Sequence, residues 1–309
     1  MGSRILSTSA GTNREAFTPL DWALFVSIGL IWGSSFLLID IGLEVFHPGL
    51  ITWMRIAFGA LVLALVPRAR RRIEPFDRPR LIALSFVWVA IPFTLFPIAQ
   101  QYINSAAAGM LNGAMPIFAA VIATILLRQL PHGAVLVGLI LGFVGVGAIS
   151  LSSGSGDSSE ALGVILVLLA TLCYGLAINI AAPINQQYGA LTVNARMLVY
   201  ATIWTAPFGA TGLLKSTFAW DSFLAVVVLG ALGTGLAFLI MGSLVGRVGS
   251  TRSSFITYIL PVVALVLGVV FRNDQVSVVA LVGVVLVIVG ALLAARREPV
   301  PRSVVRADG

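Results

Sequence analysis

Hydrophobic residues in this chain fall in long runs, each close to the roughly 20 apolar residues that a bilayer-crossing helix needs. The runs cover about 22–43, 50–67, 81–102, 106–127, 132–152, 161–183, 191–214, 222–245, 250–271 and 276–295, separated by polar or turn-forming residues. In lipid, a backbone must satisfy its own polar groups within the segment, so runs of this length predict helices. The pattern therefore predicts an all-α integral membrane protein with ten transmembrane helices.

The runs also repeat. Pro116 recurs as Pro261, Gly138 as Gly283 and Gly145 as Gly290, each at an offset of 145, while Trp32-Gly33 answers to Tyr174-Gly175 at 142 and Arg55 to Arg196 at 141. An odd number of spans per copy forces the second copy upside down relative to the first, which predicts two inverted five-helix repeats with a solute site between them. The expected organisation is an N-terminal tail (1–21), a first repeat (22–152), a Ser/Gly-rich linker (153–160), a second repeat (161–295) and a C-terminal tail (296–309).

Composition agrees with this reading: 59% of residues are apolar, 10% are charged, and the mean hydropathy is +1.03. A soluble enzyme is excluded. The net charge of +7 acquires meaning from its placement. Arg68, Arg70, Arg71, Arg72, Arg78 and Arg80 crowd the second loop, Arg128, Arg247 and Arg252 lie in or beside later even-numbered loops, and six arginines occupy the tails; the odd-numbered loops hold only Lys215 and Arg272. By the positive-inside rule both termini and the even loops face the cytoplasm, and the odd loops and the linker lie outside. Residues 1–21 lead into a full-length span without a small-residue cleavage site, so the first span is expected to be retained rather than removed as a signal peptide.

Catalytic signals are absent. Gly154-x-Gly156-Asp157 matches an intramembrane aspartyl-protease pattern, but Asp157 falls in the linker and no second membrane aspartate opposes it. No Gly-x-Ser-x-Gly, His-Glu-x-x-His or Gly-Lys-Ser/Thr motif occurs, and the two histidines, His47 and His132, are loop residues. Cys173 is a single cysteine and is read as a small buried side chain. No catalytic residue, metal site, cofactor or nucleic-acid partner is expected.

Trp32-Gly33-Ser34-Ser35-Phe36 in the first run, Pro48 followed by Arg55, Pro116 within the fourth run, and Gly138 with Gly145 resemble the drug/metabolite transporter superfamily, and more narrowly its ten-helix EamA-like branch, over about residues 20–295. The resemblance implies an inner-membrane exporter or permease for amino acids or other small metabolites in a bacterial cell. One departure is Arg128-Gln129, where many relatives carry a glutamate at the end of the fourth span.

Pro- or Gly-interrupted helices at corresponding places in the two halves point to a transport site, because freed backbone dipoles then face a cavity. The third run carries Pro92 and Pro97, the eighth Gly230, Gly233 and Gly235, and the fourth and ninth share Pro116 and Pro261. Asn112 and Thr257 stand four residues before those two prolines, on the same helical face. Trp32, Ser35, Trp88, Tyr174, Asn179 and Tyr258 complete a candidate substrate-binding set that is neutral, aromatic and sparsely polar. The same residues also suit helix–helix packing.

Of the twelve carboxylates, only Asp40 falls within a run, about a turn from its end, and the others, Asp21 among them, are read as loop or tail residues. Proton-coupled pumps usually carry a membrane-embedded acid or histidine, so facilitated uniport or exchange is expected, with Asp40 as the candidate coupling group. Arg55 is read either as snorkelling to the interface or as the partner of Asp40 on the next helix. Gly109-x-x-x-Gly113 and Gly138-x-x-x-Gly142 permit close helix approach, within the chain or across a homodimer. The leading reading is export of aromatic or hydrophobic amino acids by alternating access. A proton-coupled drug or nucleoside exporter is the transport alternative, and a scaffold or lipid-handling protein the alternative of another class. The expected partners are the small-molecule substrate and membrane lipid, at the inner (plasma) membrane.

Overall fold

A computed structural model describes residues 18–70, 72–127, 133–152, 158–248 and 254–294 of the chain, and among these the regular structure is entirely helical. The first half comprises α1 (Pro19–Gly33), α2 (Ser35–Leu43), α3 (Pro48–Ala64), α4 (Arg78–Leu84), α5 (Ile91–Ala99), α6 (Ser105–Asn112), α7 (Met115–Leu127) and α8 (Gly133–Ser152). The second comprises α9 (Ser158–Tyr188), α10 (Ala190–Leu213), α11 (Trp220–Gly230), α12 (Ala237–Val248), α13 (Leu260–Arg272) and α14 (Val278–Ala294). Among the described residues, four helical stretches are long and apolar enough to cross a membrane: Pro19–Leu43, Pro75–Ala99, Ser158–Ile178 and Trp220–Leu244.

Local chemistry fixes where the helices begin. At α1, Thr18 and Asp21 form a reciprocal capping box and Pro19 takes a first-turn position where its missing N–H costs nothing. Asp21 is therefore not a loop residue as the sequence suggested. It is fully buried and accepts a 2.5 Å ion-paired hydrogen bond from Arg247 Nε at the end of α12. At α3, Nδ1 of His47 accepts from the Gly49 N–H ahead of Pro48.

The proline- and glycine-rich stretches interrupt the helices in matching places. Between α4 and α5 the chain runs as a π-helical segment, Ser85–Ala90, and between α11 and α12 as another, Ala231–Leu236, whose first residues stand 146 positions apart. In the first, Pro92 has no N–H and its ring would press on the carbonyl of Trp88 in a regular α-helix, so the turn before it widens. The second contains no proline; there Thr234 Oγ1 donates to the carbonyl of Leu229 at 3.3 Å, within a glycine-rich turn. Likewise α6 stops at Asn112 and α7 restarts at Met115, and a 3-10 turn, Ser254–Tyr258, precedes α13, whose start lies 145 positions after that of α7.

Glycines set the closest approaches. A Cβ on Gly145 would lie 2.6 Å from the carbonyl oxygen of Gly283, and one on Gly290 would lie 2.6 Å from that of Gly138, so α8 and α14 cross backbone on backbone. A Cβ on Gly109 would collide with Ala264, and one on Gly113 would lie 2.6 Å from Cγ of Pro261, bringing α6 onto α13. These small-residue motifs join helices within one chain.

Candidate functional site

The middle of the fold is an aromatic seam built from both halves. Trp32, near the end of α1, packs edge-on to Phe238 of α12 with centroids 6.3 Å apart, and its Nε1 donates to the Gly233 carbonyl in the π-helical segment at 3.1 Å. Tyr174 of α9 stacks on Phe96 of α5 at 6.0 Å. The two contacts are counterparts: Phe96 and Phe238 stand 142 positions apart, as Trp32 and Tyr174 do. Phe36 of α2 joins the seam edge-on to Phe96 at 5.5 Å.

Ser35 is buried, donates to the Ile31 carbonyl at 3.2 Å, and faces Gly233, where a Cβ would come within 3.3 Å of its Oγ. Trp88 packs against the same apolar cluster as Trp32 and Tyr174. Asn112, Pro116, Thr257, Tyr258 and Pro261 form a second group where α6 gives way to α7 and the 3-10 turn to α13. Asn112 and Thr257 are both buried, and Asn112 Oδ1 is sealed without a hydrogen-bond partner. Tyr174 and Tyr258 lean on one shared core cluster, so Tyr174 bridges the two groups. Asn179 lies within α9, but its side chain is outside the described residues.

Arg55 overturns its sequence reading. It is 6% exposed, so it does not snorkel, and its partner is not Asp40. From α3 the guanidinium turns inward: Nε donates to Thr234 Oγ1 at 3.2 Å, and Cζ sits 3.8 Å over the ring of Phe93. Tyr174 is near enough to interact with it electrostatically. The position is enforced by glycines, since a Cβ on Gly230 would lie 2.8 Å from the Arg55 carbonyl and one on Gly59 would lie 2.7 Å from Thr234.

Asp40 instead forms an ion pair with Arg272, the last residue of α13, which also holds Glu44 at 2.6 Å. Beside them Asp274 accepts from Ser105 Oγ at 2.9 Å and from the Ala106 N–H at 3.0 Å, capping α6. Asp40 is thus engaged in a network at one end of the bundle.

Arg196, the counterpart of Arg55, behaves differently. It reaches the backbone carbonyl of Arg70 at 3.3 Å and, with Arg72, Arg78 and Glu74, lines a 460 Å³ cleft at the opposite end from Asp40. At such an end position a guanidinium can reach the interface.

The sequence reading missed Phe93, Phe96, Thr234 and Phe238. The 142-residue spacing shared by Trp32/Tyr174 and Phe96/Phe238 was present in the sequence and would have found two of them.

The sequence profile of the EamA-like transporter family matches this chain over residues 22–151 and again over 161–296. The chain belongs to the EamA-like transporter family. Relatives agree in kind. It is 23% identical over 277 residues to an "Uncharacterized transporter" of Archaeoglobus fulgidus, covering 90% of this chain and 99% of the relative. It is 27% identical over 270 residues to the "Uncharacterized inner membrane transporter YedA" of Escherichia coli K12, covering 84% and 85%. A "Probable terminal-alkyne amino-acid exporter" of Streptantibioticus cattleyicolor is 24% identical over 281 residues, covering 89% and 93%. A crystal structure at 17% identity superposes with a TM-score of 0.62 over 90% of this chain and 97% of the other, a likeness of fold alone. As an EamA-like protein the chain is a membrane transporter, and its family and relatives speak for transport rather than catalysis. The Arg128-Gln129 departure lies outside the described residues.

Proposed function

We propose that this EamA-like protein moves small zwitterionic or neutral metabolites, foremost aromatic and hydrophobic amino acids, outward across the bacterial inner membrane by alternating access. Ten spans in two inverted five-helix halves, residues 22–152 and 161–295, rock about a site at the seam, with both termini cytoplasmic. The observation that carries this reading is the matched pair of aromatic contacts, Trp32 on Phe238 and Tyr174 on Phe96, next to π-helical interruptions at corresponding chain positions of the two halves. Two-fold related elements with widened turns are what a site served alternately from each side requires. A passive scaffold has no need to interrupt equivalent helices, and the family assignment speaks against one.

The seam suits a ligand with an apolar body. Trp32, Trp88, Tyr174 and Tyr258 supply aromatic surface, while Ser35, Asn112 and Thr257 supply sparse polar groups. The Gly233 carbonyl of the second π-helical segment is a main-chain acceptor used by Trp32. Asp40 is held by Arg272, and the remaining described carboxylates lie at helix ends or in connections, so transport is read as gradient-driven uniport or exchange.

The test is uptake of a panel of radiolabelled amino acids into proteoliposomes, with and without an imposed pH gradient. Flux of phenylalanine, tryptophan or leucine without the gradient is expected. Flux that requires the gradient would overturn the facilitator reading, and no amino-acid flux would overturn the substrate assignment.

A further inference from the structure

Arg55 is costly to explain as packing. A guanidinium at 6% exposure has lost most of its hydration, and at such sites a charge is usually met by a carboxylate. Among the described residues none pairs with it. Asp40 and Glu44 are taken by Arg272, Asp274 caps α6, and Asp21 is taken by Arg247. Among the described residues the guanidinium of Arg55 meets one neutral hydroxyl on Nε and the face of Phe93, with Tyr174 nearby.

Nη1 and Nη2, the two nitrogens that form the outward fork of the guanidinium, donate to no described residue. They are also not among the sealed unpaired atoms of the described residues, unlike Trp53 Nε1, Gln100 Oε1 and Asn112 Oδ1, so they keep some accessible surface. The seat is rigid: Thr234 fixes Nε, Phe93 covers one face, and Gly59 and Gly230 bring α3 directly against the second half. The guanidinium thus lies beside the seam: Thr234 follows Gly233, whose carbonyl holds Trp32, and Tyr174 is nearby.

We propose that Arg55 is the anion anchor of the transport site, its Nη1 and Nη2 receiving the carboxylate of an organic substrate whose apolar body lies along the aromatic seam. This rests on the transport reading and narrows its substrate class from neutral or zwitterionic solutes to carboxylates, amino acids included. A planar fork matches a carboxylate in bidentate fashion. One cation with one hydroxyl suits a monoanion, whereas a phosphate dianion calls for several converging cations. With no carboxylate paired to Arg55 among the described residues, the substrate supplies the counter-charge that the protein withholds, and the empty site is the electrostatically unfavourable one. Arg196, at the equivalent position of the second half, lies at the end of the bundle, so the anchor is single and breaks the two-fold symmetry of the site.

The experiment measures ligand-dependent melting of the purified full-length protein with L-phenylalanine, L-phenylalaninamide and 2-phenylethylamine, for the wild type, Arg55→Met and Arg55→Lys. Phenylalanine flux in proteoliposomes is followed in parallel. The wild type is expected to bind the acid at least about tenfold more tightly than the amide, the scale of a hydrogen-bonded charge contact. Arg55→Met should abolish that ratio while melting at or above the wild-type temperature, because it removes a buried charge that has no protein partner. A structural role would lower the melting temperature instead. Arg55→Lys, which keeps the charge and loses the fork, should retain part of the ratio. Equal binding of acid and amide by the wild type, or an unchanged ratio in either variant, would overturn the anchor. If phenylalanine flux persisted in that case, the transport reading would stand. Neither binding nor flux of any probe would overturn both. Should Arg55→Met not yield folded protein, the wild-type ratio and Arg55→Lys decide by the same criteria.

Discussion

Two charged side chains that looked alike in sequence have opposite circumstances. Asp40 and Arg55 fall near one end of consecutive helices, and adjacency suggested a pair. Arg272, more than 200 positions away, closes over Asp40 and Glu44, while Arg55 turns to Thr234 and Phe93. Partial exposure screens the Arg272 network, so such pairs contribute at most about 1 kcal/mol each. Asp40→Asn is therefore expected to lower the melting temperature only slightly and to leave amino-acid flux without a pH gradient intact. Loss of flux at normal folding would make Asp40 a coupling group after all. The sequence made Trp32, Tyr174 and Asn112 visible because a polar or amphipathic side chain within an apolar run is conspicuous. Phe93 and Phe96 were not, because a phenylalanine inside such a run carries no local signal, and their partners are set by tertiary packing.

At the scale of the helix, small residues and prolines decide geometry. Gly145 and Gly147 sit two residues apart on α8 and face different sides: a Cβ at Gly145 meets the backbone of Gly283 and Val287, whereas one at Gly147 meets nothing within 4 Å. Gly145→Val should cost about 1–3 kcal/mol or prevent folding. Gly147→Ala should be neutral or stabilise by up to about 1 kcal/mol through helix propensity. Melting of the two purified variants checks this, and equal effects would contradict the crossing of α8 and α14. Helix positions themselves were legible, since every apolar run became helix where the structure is described. The π-helical form of the interruptions was not, because a proline such as Pro92 announces a disturbance without saying how the following turns absorb it. In the second half Gly233 and Gly235 gave the same location with no proline at all.

Over the whole molecule the near-constant offset is the organising fact. An offset of 145 relates Pro116 to Pro261 and the two helix restarts, 146 relates the two π-helical segments and 142 the two aromatic contacts, and α8 crosses α14 through glycines 145 apart. The halves interdigitate at the seam: α1 reaches α12 of the second half and α9 reaches α5 of the first. A substrate held there touches both, which couples its binding to their relative motion. The most direct test is phenylalanine counterflow in proteoliposomes for the wild type, Trp32→Ala and Tyr174→Ala at equal reconstituted amounts, with monodispersity as the folding control. A site shared by the halves predicts that each variant loses at least about tenfold in initial rate, as removal of a large aromatic contact surface implies. Full flux in either folded variant would contradict a site built from both halves.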